Sequence, residues 1–274
     1  MKSKILFTIM FCLALTVTAK ETNKLKGEFT FGNPEMKSIK AIAFGPDNIL
    51  FIGDNTGSMV YAIEINDKKS TSKINFNIDN ITAKIGAIMG AAASDIKIED
   101  MVVNPVSKNV FFAITRENKG KTQSALFKLG NNGLEEYELE AVNYSKVAIP
   151  NAPEKEAKVW GRASRTWTLT DLQYVNGQVI ISGLSNEEFS SALRRVPFPF
   201  NAEMITTNVQ AYHVSHAQNE TNSPVYRFLP VKSGNEWKII AGYSCSPLVI
   251  FNMNQLNGNK KLIGKTIKVL ACMN

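Results

Sequence analysis

The sequence predicts an all-β chain made of repeated four-stranded antiparallel units, and three observations predict it. A serine-led apolar phrase occurs four times, as Ser58-Met59-Val60-Tyr61-Ala62-Ile63, Ser124-Ala125-Leu126-Phe127-Lys128-Leu129, Ser191-Ala192-Leu193-Arg194-Arg195-Val196 and Ser246-Pro247-Leu248-Val249-Ile250-Phe251, at intervals of 66, 67 and 55 residues. Two short apolar runs joined by a turn precede each phrase, the pattern of paired strands. Each second run ends on a small residue, Gly53, Ala113, Gly183 or Gly242, as a crowded strand end requires.

Taken in order, the first unit runs Ala41 to Phe44, turns through Gly45-Pro46-Asp47-Asn48 and returns as Ile49 to Ile52. Pro and Gly supply the preset and permissive dihedrals of a tight reversal. The second runs Met101 to Val103, turns through Asn104 to Asn109 and returns as Val110 to Ile114. In the third, Leu172 to Val175 and Gln178 to Ser182 flank Asn176-Gly177, the strongest short hairpin signal. The fourth pairs Val225 to Leu229 with Trp237 to Ala241 across Gly234-Asn235. Weaker fourth strands are expected at Ile74 to Ile78, Leu134 to Leu139, Val209 to His213 and Thr266 to Leu270, which sets the units at 38–80, 98–140, 168–213 and 224–270. Strands apolar along most of their length need cover on both faces, and radial repetition of blades provides it while leaving only short edges. The reading is therefore a β-propeller of four-stranded antiparallel blades. Against a β-sandwich stands the recurrence of one phrase at one place in every unit. Four units make an incomplete or open ring, and Gly27 to Phe31 reads as an N-terminal strand that would complete a final blade.

Two insertions interrupt the pattern. Ile81, Ile85, Ile88 and Met89 recur at helical spacing and predict a short helix on a blade rim. The Ala-, Pro- and Lys-rich stretch 141–165 reads as a long loop.

The start of the chain carries Lys2 and Lys4, an apolar run from Ile5 to Val17, and small residues at Val17-Thr18-Ala19, so residues 1–19 read as a signal peptide cleaved after Ala19 and the domain as 20–274. The expectation is an exported protein, periplasmic or secreted. No other stretch approaches the roughly 20 apolar residues of a membrane span. Loss of the two leader lysines lowers the formal net charge from +7 to +5, and the remaining cations are scattered, which excludes a nucleic-acid stripe. Export permits a disulfide between Cys245 and Cys272, with a buried free thiol at Cys245 the competing reading. A monomer is expected, with a small molecule or a protein as partner.

The phrases Gly183-Leu184-Ser185-Asn186-Glu187-Glu188-Phe189, Val196-Pro197-Phe198-Pro199-Phe200, Tyr212-His213 with His216, Glu220-Thr221-Asn222-Ser223-Pro224 and Ala241-Gly242-Tyr243-Ser244-Cys245-Ser246-Pro247-Leu248-Val249 are long and unusual. Through them the chain resembles a family of exported bacterial β-propeller proteins with lactonase-like repeats. The resemblance implies fold and export and supplies no established activity. It also implies one further blade beyond Leu270, where this sequence ends in Ala271-Cys272-Met273-Asn274 and reads as C-terminally truncated.

Candidate sites are few. His213, His216 and Glu220 combine two imidazoles with a carboxylate, a donor set for a divalent transition metal such as zinc. Three residues apart on one strand, the histidines point to opposite faces, so chelation requires the strand to end near His213; hydrogen-bonded loop residues are the competing reading. Asp100 and Asp171 stand at equivalent places before the first strands of units two and three, where a propeller lines its channel. Carboxylates there suit calcium, although Lys40 at the matching place in unit one breaks the ring, and turn capping is the alternative. Glu187 and Arg194 are candidate contacts for a charged ligand, and Ser185 with Glu188 forms a capping box that predicts a helical turn. No nucleophile elbow, phosphate loop, dinucleotide fingerprint or Cys-x-x-Cys pair is present. The readings that follow are a ligand- or protein-binding module and, as the alternative, a metal-dependent lactonase-like hydrolase with its ion in the channel or loop.

Overall fold

The computed structural model describes residues 29–69, 77–159, 161–188, 190–213, 217–220, 223–244, 248–259 and 261–267. The expected leader at residues 1–19, His216, Cys245 and Cys272 lie outside the described residues.

Four sheets carry the fold, antiparallel except where Leu262–Ile263 pairs parallel with Val209 and Gln210 of the third, and in each the repeated phrase supplies the third strand. The first sheet orders Ala41–Phe44, Ile49–Asp54 and Met59–Glu64; the second Ile96–Val103, Val110–Asn118, Lys121–Gly130 and Gly133–Glu136; the third Asp171–Val175, Gln178–Leu184, Ser191–Pro197 and Ile205–His213; the fourth Val225–Ser233, Glu236–Tyr243, Leu248–Asn252 and Lys265–Thr266. Predicted turns sit where the hairpins close. Val175 pairs with Gln178 across Asn176 and Gly177, both at positive φ, and Ser233 pairs with Glu236 across Gly234 and Asn235.

The fourth strand of the first sheet departs from expectation. Val142–Ala148, inside the stretch read as a loop, pairs with Met59–Glu64, and Thr30–Gly32 pairs on its far side. Residues 70–76, which hold most of the strand expected at Ile74 to Ile78, lie outside the described residues. The N-terminal strand thus extends the first sheet and completes no final blade. Val142–Ala148 alternates only weakly between buried and exposed residues, and the Ala, Pro and Lys around it set the composition of the stretch.

This pairing nests the second unit between the third and fourth strands of the first, so the order in space is second, first, third, fourth. Ile42, Leu50, Ile52, Tyr61 and Ile63 pack with Phe111, Ala113 and Leu126 of the second sheet. The opposite face, with Ala41, Ile49, Phe51 and Val60, packs with Leu172, Val179, Ile181 and Val196 of the third. The third then meets the fourth through Ile180, Leu193 and Val209 against Phe228, Ile239 and Val249. Both faces of the first and third sheets are covered, which accounts for their continuous apolar runs.

The helix Ile81–Met89 starts at Asn80, whose side chain caps Ala83 N–H, and covers the outer face of the second sheet, with Ile85 fully buried. It therefore packs on a sheet face instead of a rim. No helix forms at Ser185: residues 186–188 are a bend, with Ser185 N–H donating to the Ser190 carbonyl. Among the described residues no helix is long and apolar enough to cross a membrane.

Candidate functional site

The first strands of all four sheets converge, and one residue layer shows how. Asp100 faces Ala113, Asp171 faces Ser182, Arg227 faces Gly242 and Ala41 faces Gly53, so these four are register equivalents. By this pairing Ala41, and not Lys40, is the counterpart in the first sheet.

Arg227 of the fourth sheet lies 3.5 Å from Asp100 of the second and 3.3 Å from Asp171 of the third, and donates to the Glu99 carbonyl at 3.0 Å. Each aspartate also takes a backbone N–H from an adjacent sheet at the same register position. Asp100 accepts from Ile42 and Asp171 from Phe228. Stacked sheets stand about 10 Å apart, so a flat stack would hold the second and fourth sheets about 30 Å apart. Their contact requires the first strands to meet at a common axis, the geometry of propeller blades.

Burial raises the Asp171 carboxyl to about 6, against the Phe228 N–H and the Arg227 charge, and the neighbouring Asp100 pushes the same way as burial. Calcium does not fit between these carboxylates, because the Arg227 guanidinium already supplies the positive charge there and their oxygens accept backbone N–H groups.

A cavity lies on either side of this ionic layer. One, of 540 Å³, is lined by Phe44, Met101, Val103, Asp171, Gln173 and Phe228 among others. The other, of 290 Å³, lies toward the beginnings of the first strands and draws on every sheet: Lys40 and Asn55 from the first, Glu99 and Thr115 from the second, Thr170 beside the third, Tyr226 from the fourth. Trp167, in the turn Ser164–Trp167, joins the lining, its ring 6.3 Å from that of Tyr226. Glu99 holds Lys40 at 2.6 Å and Lys97 at 2.8 Å. Burial opposes its charge, yet these hydrogen bonds outweigh it and hold the carboxyl below its ordinary value.

The other expected residues scatter. Arg194 is fully buried, donating to the carbonyls of Thr168 and Leu184, and burial lowers its guanidinium to about 10, so it faces packed protein. Glu187 is an exposed tie between Asn151 and Asn208. His213 ends its strand opposite Gln218, and Glu220 stands opposite Ala211. His216 and the Glu220 side chain lie outside the described residues, and among the described residues no group of three metal-binding side chains occurs. Sequence reasoning placed Asp100 and Asp171 together but missed Arg227, Glu99, Trp167 and Tyr226. Aligning the fourth unit on Gly242, as the second on Ala113, is the signal that reaches Arg227.

No protein family and no curated protein matches the chain. Among solved structures it is similar to virginiamycin B lyase from Staphylococcus aureus, at 11% identity over 86% of this chain and 78% of that one with a TM-score of 0.21. A streptogramin B lyase follows at 9% identity, 82% and 72% coverage and a TM-score of 0.21. At those scores the likeness carries no weight, and the all-β, propeller-type assignment rests on the converging sheets themselves.

Proposed function

We propose that this chain is an exported ligand-binding propeller whose ligand seats in the 290 Å³ cavity at the head of the channel. The observation that carries the reading is the convergence of all four sheets on that one concave site, with polar groups and two aromatic rings lining it. Beyond it along the strands lies the Asp100–Arg227–Asp171 layer, whose side chains line the neighbouring 540 Å³ cavity. Export is supported by the leader-like pattern of residues 1–19.

A thermal-shift screen of amino acids, short peptides, nucleotides and saccharides tests it. The expected result is a stabilising compound whose effect disappears in Thr115→Trp, which fills the cavity from an exposed hairpin, while the unliganded melting temperature is unchanged. Failure of every class to stabilise the protein, or a shift that survives Thr115→Trp, overturns the reading.

A further inference from the structure

The lining of this cavity has two unlike parts, and their chemistry selects a ligand class; the step rests on the reading above. One part is a single face of the hairpin Val110–Asn118 and Lys121–Gly130, where Thr115 stands opposite Ser124 and Glu117 opposite Thr122. Residues two apart on a strand share a face, so three hydroxyls and a carboxylate line one cavity together. The other part is aromatic: Trp167 and Tyr226, their rings inclined at 55°, with Tyr226 45% exposed.

Small-molecule cavities are usually mostly apolar, with a few polar groups placed among them. Here most of the lining side chains carry polar groups, and Ile39 is the aliphatic member. An apolar ligand would strip water from the hydroxyls without replacing those hydrogen bonds, which is costly. A polyanion fits poorly too, because Lys40 and Lys97 are committed to Glu99, and the remaining cation of the lining, Arg162, is offset by the carboxylate of Glu117. A sugar ring answers both parts, with a C–H face for the aromatic rings and a rim of hydroxyls that donate and accept.

We propose that the cavity binds a carbohydrate, its ring stacked on Trp167 and Tyr226 and its hydroxyls bonded by Thr115, Glu117, Thr122 and Ser124. Titration calorimetry of the full-length protein with maltotriose, cellotriose, xylotriose, chitotriose and trigalacturonate tests this, beside trialanine and adenosine monophosphate. Saturable binding of at least one saccharide is expected, weakened about tenfold by Trp167→Ala and largely retained in Trp167→Phe. The double substitution Thr122→Val with Ser124→Ala, on the exposed hairpin, should weaken it without lowering the melting temperature. Binding of the peptide or nucleotide and of no saccharide overturns the carbohydrate assignment while leaving a ligand-binding cavity in place. Absence of saccharide binding, or saccharide binding indifferent to both the Trp167→Ala and hairpin substitutions, overturns it as well.

Discussion

At the scale of single residues, Asp171 and Arg227 set the character of the channel. Arg227 is the one cation ion-paired to both layer carboxylates among the described residues. Replacing it by Met leaves Asp100 and Asp171 facing each other, and a loss of about 2 kcal/mol in denaturant unfolding is expected, moderated by the partial exposure of Arg227. Asp171 gives a pH signature. Its carboxyl lies at about 6 in the folded protein against 3.8 for the ordinary group. Between these values the folded protein keeps a proton that the unfolded chain has released, so stability falls as pH rises through that window and the penalty is complete above it. The size is on the order of 3 kcal/mol. Melting curves of wild type and Asp171→Asn from pH 3.5 to 7 check this: the wild type should lose stability relative to the variant as pH rises, and parallel curves would contradict the assignment.

Single elements hold the sheets at their spacing. A Cβ on Gly183 would overlap the Thr168 carbonyl oxygen, which is backbone and has no rotamer to yield. Gly183→Ala should therefore cost about 2 kcal/mol, read by chemical denaturation. Gly177 makes the opposite kind of demand, since its φ of 79° closes a two-residue hairpin that side chains resist. Both glycines were visible in the sequence as punctuation, as was the Ser-led phrase, because its place as third strand gives it the same neighbours in every sheet. Val142–Ala148 was hidden because its partner strand lies on the far side of an entire inserted sheet. Tyr144 pairs with both Thr30 and Ile63, so Tyr144→Pro should destabilise the protein by about 2 kcal/mol more than Tyr144→Ala through the lost ladder bond. Equal stability of the two variants would restore the loop reading. The site was legible only in part for a related reason: Asp100 and Asp171 recur at one place in the repeat, whereas the cavity is assembled from four sheets whose order in space departs from their order in the chain.

For the molecule as a whole, the sheets run second, first, third, fourth and close on themselves only at their inner strands. Apolar burial between neighbouring sheets stabilises the stack, while the outer face of the fourth sheet leaves Leu229 and Leu248 exposed at 60% and 42%. Radial convergence is the claim on which channel, ionic layer and cavity all depend. The distance between spin labels at Met101 and Leu229, exposed positions close to the Asp100–Arg227 pair, measures it directly once the native cysteines are replaced by serine. Each lies one or two strand residues from a side chain in contact, so a separation within roughly 15 Å is predicted at about 3.4 Å per residue. A separation near 30 Å, three intersheet spacings of about 10 Å, would place the sheets in a flat stack and contradict it.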